Sequence, residues 1–313
     1  MLAVCSTNNI MRLTVYIAWC LPLLAVAQPV VPGFERFPRD TSAQQVAAGE
    51  VLITELNCVA CHASGEDNAS RFQSRPAPIL FTRHNPGAAG WMRHWLLDPH
   101  KLKPGTLMPD LLHGLEADKK SEAVEALIHY LMTLSPGAVL EPAMIGKPAD
   151  GKKLYRSLGC AQCHAPDAQD NGRDIPLGEL HTKYTHANLI KFLRDPLHSR
   201  PAGRMPRTPM SEQEVAHISA YLRARLKPLD VYGLSSGAVA LKKQREGAKL
   251  YQTLRCNNCH QSPKLDVQPV FAKPLLEVNL QRGCLALKPT ASVPHFKLNA
   301  AQRTAITAAL QAK

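Results

Sequence analysis

At 313 residues the chain is too long for one small domain and suits two or three. Hydrophobic residues make up 45%, enough to bury cores, while aromatics at 5% leave interior volume for something other than side chains to fill. A net charge of +12 is of the kind that suits nucleic acid, but no nucleic-acid-binding motif accompanies it, so no nucleic-acid partner is expected.

The first predicted element is a targeting segment. Arg12 precedes an apolar run that ends in a small-x-small site at Ala25 and Ala27. The run is short for a bilayer span, which needs about 20 residues. Residues 1–27 are therefore expected to be a signal peptide cleaved after Ala27, giving a periplasmic or otherwise exported product. Trp19 before Cys20 argues against a lipoprotein. Nothing later is long and apolar enough to span a membrane, so no membrane span is expected after signal cleavage. Loss of Arg12 lowers the net charge to +11.

From there the chain repeats itself. Gly49, Leu52 and Leu56 predict a short helix, since leucines three and seven after the glycine share one face. "CVACH" follows at 58–62, then "WLLDPHKLKPGTLMPDL", then a helical pattern at Val124, Leu127, Ile128 and Leu131. After a proline-bearing stretch at 135–151 the second copy brings Gly151, Leu154 and Leu158, "CAQCH" at 160–164 and "FLRDPLHSRPAGRMPRT". A capping box at Ser211 and Glu214 then opens a helix through Val215, Ile218 and Leu222. After 226–240 the third copy brings Gly247, Leu250 and Leu254, "CNNCH" at 256–260, and a last helix opened by Asn299 and Gln302 ahead of Ile306 and Leu310. Tyr130-Leu131 and Tyr221-Leu222 hold equal places in their helices, where the third copy has Ala309-Leu310. Each glycine allows a close crossing by another helix. First cysteines lie 102 and 96 residues apart, so the expected domains are 28–137, 138–228 and a divergent 229–313. Strand signals are weak throughout.

Seven cysteines remain after residue 27; six form the three pairs and Cys284 stands alone. Disulfides are the usual fate of paired cysteines in exported proteins, but each pair here is followed at once by histidine. Zinc takes four ligands, and each motif offers three in a cramped row. A redox Cys-x-x-Cys belongs in a βαβ setting, which is missing. Cys-x-x-Cys-His is the spacing of c-type haem attachment. On a tight turn both thiols reach the two vinyl groups of one porphyrin, and the histidine beside them reaches the iron. Three haem c groups are expected, held by Cys58, Cys61, Cys160, Cys163, Cys256 and Cys259, with His62, His164 and His260 on the metals.

Each copy resembles a class I cytochrome c domain, on the evidence of the Cys-x-x-Cys-His motif, the glycine-bearing helix before it, the closing helix and the methionine loop of the first two copies. The resemblance covers nearly all of the chain after residue 40 and implies an all-α fold of three consecutive helical domains, each around a covalently bound haem. It also implies electron transfer and a methionine sixth ligand on the loop before the last helix. Met108 and Met205 each lie nine residues after the proline of a matching "DP", and a following proline holds each extended. Met210 begins a helix and lacks that offset. In the family a proline carbonyl orients the proximal imidazole, a role open to Pro78, Pro176 and Pro274. Trp91, Trp95 and Phe192 are read as core.

The third copy departs from the pattern, because no methionine follows Met210. "SVPHFKLNAAQ" resembles the methionine-proline loop with Val293 in the methionine's place. His295 is the candidate sixth ligand; an open or water-bound iron and ligation by Cys284 or another group are the alternatives. Cys284 also suits core packing or a cross-link to a second chain. The expected function is that of an exported tri-haem cytochrome passing single electrons between redox partner proteins, a dehydrogenase-type donor and a terminal acceptor. The alternative is a haem enzyme whose third iron reacts with a small molecule such as peroxide. A lysine-rich stretch at 241–249 would steer an acidic partner.

Overall fold

The computed structural model describes residues 28–36, 38–75, 77–78, 80, 88–134, 144–164, 177, 180–200, 203–224, 233–260, 272–291 and 293–312. The expected signal peptide, Pro176 and about half of each inter-copy stretch lie outside them. Among the described residues regular structure is helical and no strand occurs; one isolated antiparallel bridge joins Asp110 and His295. No helix among them is long and apolar enough to cross a membrane.

The helices in chain order are α1 (Pro32–Glu35), α2 (Ser42–Glu55), α3 (Ala88–Leu97), α4 (Pro99–Leu102), α5 (Ala117–Leu134), α6 (Pro148–Ser157) and α7 (Leu180–Lys183). There follow α8 (His186–Arg194), α9 (Pro196–Ser199), α10 (Glu212–Ala224), α11 (Gly237–Thr253), α12 (Cys256–Cys259) and α13 (Ala300–Gln311). Both capping boxes read from the sequence form. Gln302 N–H donates to the Asn299 side chain at 2.8 Å, and Glu214 N–H to Ser211 Oγ at 3.3 Å. A third opens α2, where Gln44 N–H donates to Thr41 Oγ1 at 3.2 Å. Helix α11 begins at Gly237, inside the stretch read as linker.

Three helix crossings organise the molecule, and all three are built alike. A Cβ on Gly49 of α2 would lie 2.0 Å from the carbonyl oxygen of Ala305 on α13. A Cβ on Gly151 of α6 would meet His217 O of α10 at 2.0 Å, and one on Gly247 of α11 would meet Ala126 O of α5 at 2.0 Å. No side chain fits there, so glycine is what lets the backbones touch. The residue four after each glycine then meets the closing helix. Tyr155 packs on Tyr221 at 5.6 Å between ring centroids, Tyr251 packs on Tyr130 at 5.3 Å, and Ile53 shares a core with Ala309.

The partners differ from what the order of the copies suggests. Only the second copy pairs its own opening and closing helices, α6 with α10. The first copy's α2 crosses the third copy's α13, and the third copy's α11 crosses the first copy's α5. Two tyrosines meet at one exchanged crossing, and isoleucine shares a core with alanine at the other. Three cores follow. One joins Val31, Phe34, Leu52, Ile53 and Phe72 to Leu275, Ala305 and Ile306; one joins Met92, Leu112, Val124 and Leu127 to Tyr251; one lies within the second copy around Tyr155, Leu189 and Ile218.

Candidate functional site

Each Cys-x-x-Cys-His motif begins where its opening helix is broken. The residue before the first cysteine is left-handed in all three copies: Asn57 at φ 55°, Gly159 at φ 80° and Arg255 at φ 57°. Such a residue ends a helix and redirects the chain. The next residues wind into one turn, closed by His62 N–H to Cys58 O at 3.0 Å, His164 N–H to Cys160 O at 3.0 Å and His260 N–H to Cys256 O at 2.7 Å. Both thiols and the histidine are thus carried on a single turn. Tyr155 and Tyr251 hydroxyls donate to the His164 and His260 carbonyls at 3.1 and 2.6 Å, tying each turn back to its own opening helix.

The imidazoles of the first and third motifs are aimed. His62 Nδ1 donates to Lys273 O at 2.7 Å, and His260 Nδ1 donates to Pro78 O at 2.9 Å. A carbonyl only accepts, so Nδ1 carries the proton and Nε2 keeps a lone pair for a metal. Burial pushes the His260 pKa down, against the opposing pull of the Pro78 carbonyl, and so favours the neutral, ligating form. The Pro78 carbonyl thus does what the family resemblance implied, but for the other motif, and beside Pro274 it is the carbonyl of Lys273 that acts.

These same two motifs lie against each other. Asn258 Nδ2 donates to Ala60 O at 2.9 Å and contacts Cys61 Sγ at 3.5 Å, while Asn57 Nδ2 lies 3.8 Å from Cys259 Sγ. Burial pushes the Cys58 and Cys256 thiols up to about 12 and Cys259 up to about 11, with neighbouring cysteines adding to the effect. Such thiols stay protonated at neutral pH, and a thioether, having no acidic proton, suits the same surroundings. Cys284 sits beside Cys58 and Cys61, and burial pushes it up to about 11. It influences the first motif although it belongs to the third copy.

The second motif joins this pair through Arg36, whose Nη2 donates to Gln162 O at 3.1 Å, and through Arg204, which reaches Glu55 at 2.5 Å. Glu55 also holds Arg75 at 3.0 Å.

The three expected sixth ligands are placed differently. Met108 Sδ accepts the indole N–H of Trp95 at 2.8 Å. Trp95 stacks on Trp91 with centroids 5.0 Å apart. Its role is therefore more than the packing read from the sequence, and the only sequence sign was its fixed distance before "DP". Met205 and Met210 both pack on the second copy's core, as does Cys160, so the two are not separated by position. His295 pairs its backbone with Asp110 and sets its ring 5.0 Å from that of His113. Aligning Met108-Pro109-Asp110 with Val293-Pro294-His295 makes Asp110 and His295 counterparts, so the bridge joins equivalent points of two loops.

Cations gather near the second copy. Lys183 Nζ lies 4.8 Å from the Trp91 ring centroid, and burial with Arg200 nearby lowers the Lys103 pKa to about 8. Lys183 is lowered too, by burial first and then by Arg200 and Lys103. Half-buried cations crowded in this way match the carboxylates that a haem carries.

Residues 148–225 match the cytochrome c family. No match is found among the curated proteins or the solved structures. The match supports a cytochrome c domain at 148–225, a family that implies covalently bound haem c and a part in electron transfer.

Proposed function

We propose that the chain is an exported tri-haem c-type cytochrome that passes single electrons between a dehydrogenase-type donor protein and a terminal acceptor. One observation carries this reading. The construction of the second copy, a glycine crossing, a left-handed residue and a one-turn Cys-x-x-Cys-His, recurs at Cys58–His62 and Cys256–His260 with the same backbone bonds. A bound haem supplies an iron that changes its charge by one electron without making or breaking bonds.

The chain's own residues perform the rest. Six cysteines hold the porphyrins, and His62, His164 and His260 offer Nε2 to the irons. The Lys273 and Pro78 carbonyls fix two of those rings and raise their basicity. Met108, Met205 and His295 are the proposed sixth ligands, and methionine favours a higher potential than histidine in that position. Asn258 and Asn57 bring the first and third motifs into contact, while Arg36 and Arg204 join the second motif to the first. The chain thereby forms a relay in which the first motif stands between the others. Lys242, Arg245 and Lys249 are exposed on α11, a basic face for an acidic partner. Lys243 turns inward toward Glu125 at 3.9 Å instead.

A spectroscopic redox titration of the purified protein tests this reading. Three one-electron steps are expected. A protein with no reducible c-type spectrum would overturn it.

A further inference from the structure

We infer that the first and third haem pockets are crossed: the porphyrin held by Cys58, Cys61 and His62 is closed by the third copy, and that held by Cys256, Cys259 and His260 is closed by the first. This rests on the three-haem reading, and it changes which distal ligand serves which iron. Met108 belongs to the His260 haem, and the loop bearing His295 belongs to the His62 haem.

Four independent observations agree. The glycine crossings pair α2 with α13 and α11 with α5. The carbonyls that aim the imidazoles are exchanged in the same sense, Lys273 for His62 and Pro78 for His260. The chain leaving each motif is exchanged too: Ala272 N–H donates to Cys61 O at 2.7 Å, and Ala77 N–H donates to Cys259 O at 3.1 Å. Finally, the cores are mixed. Leu285 and Phe296 pack with Cys58 and Val59, whereas Leu80, Trp91, Leu96 and Leu97 pack with Cys256.

The second copy is the internal control. There the opening helix, motif, methionine loop and closing helix come from one continuous stretch, and Cys160 packs on the same core as Met205. Replacing each of its parts by the equivalent in the other two assemblies gives α11, the third motif, the Met108 loop and α5 in one. It gives α2, the first motif, the loop at 293–297 and α13 in the other. The Asp110–His295 bridge sits where the two distal loops meet. Trp95 holds Met108 from α3, the helix whose Trp91, Leu96 and Leu97 pack on the same core as Cys256.

The test removes one motif at a time. Cys58→Ala with Cys61→Ala deletes the first haem, and Cys256→Ala with Cys259→Ala deletes the third, each with and without Met108→Ala. The readout is the ferric methionine-to-iron charge-transfer band, with intact mass counting the haems in every variant. Crossing predicts that Met108→Ala abolishes one methionine signal in the chain without the first motif and changes nothing in the chain without the third. The reverse pattern would overturn the inference. Should these variants fail to keep their remaining haems, the full chain answers through protease sites inserted at 135–143 and 225–232. After cleavage the first and third fragments are expected to co-purify until denatured, and their separation under native conditions would sink the crossing. A mass with fewer than three haems beside inseparable fragments would count against the three-haem reading and not against the exchange.

Discussion

The ring of Tyr251, on the opening helix of the third copy, lies 5.3 Å from that of Tyr130 on the closing helix of the first. Tilted aromatic pairs at such distances are coupled by about 0.5–1.5 kcal/mol beyond the area they bury. A double-mutant cycle on Tyr130→Leu and Tyr251→Leu, read by denaturant unfolding, should return a coupling in that range. The same cycle on Tyr130→Leu and Ile53→Ala should return close to zero, because those residues lie in different cores.

Gly247→Ala should destabilise the protein by about 1–3 kcal/mol, since a Cβ there would meet Ala126 O at 2.0 Å and the helices must part to admit it. Gly49→Ala should behave alike against Ala305. Gly233→Ala, with nothing within 4 Å, is the control and should stay within about 0.5 kcal/mol of the parent. Thermal melts of the three variants decide it.

Trp95→Phe keeps an aromatic ring against Trp91 but removes the N–H that Met108 Sδ accepts. If Met108 is the ligand proposed above, its sulfur would then donate more freely to the iron and stabilise the ferric state. One of the three midpoint potentials should fall by tens of millivolts, a neutral hydrogen bond being worth about 1 kcal/mol and a tenfold change in equilibrium about 59 mV. Three unmoved potentials would show that Met108 is no ligand.

Much of this architecture was legible in the sequence. The capping residues Ser211 and Asn299, the close-crossing glycines and the placement of both thiols beside a histidine all follow from local rules, and the structure bears those out. Partner choice was not legible from order. Three similar copies offer each opening helix three similar closing helices, and short-range patterns are the same for every pairing. The copies do differ at one position that the crossings use, the residue four after each glycine: the tyrosines at 155 and 251 meet Tyr221 and Tyr130, whereas Ile53 shares a core with Ala309. The hydrogen bond of Trp95 was hidden for a different reason, since a tryptophan on a helical face reads as core whether or not its N–H is used.

His100 is buried on α4, where the second copy has Leu197. Burial lowers its pKa, as does Lys297, while the His295 backbone, Asp98 and Asp110 pull the other way. The unfolded chain takes up a proton near pH 6.5 that the folded chain refuses at that pH, so this residue costs nothing above that value and costs stability as the pH falls below it. Between about pH 7 and pH 5 the parent should lose more thermal stability than His100→Leu. A residual slope should remain, because His129, His186 and His295 are lowered as well.

The most direct measurement is the intact mass of the purified protein under denaturing conditions. A polypeptide beginning at Gln28 and heavier than its sequence by three covalently retained haems is predicted. The mass of the bare polypeptide, with Cys58, Cys61, Cys160, Cys163, Cys256 and Cys259 all free to react with a thiol reagent, would contradict it.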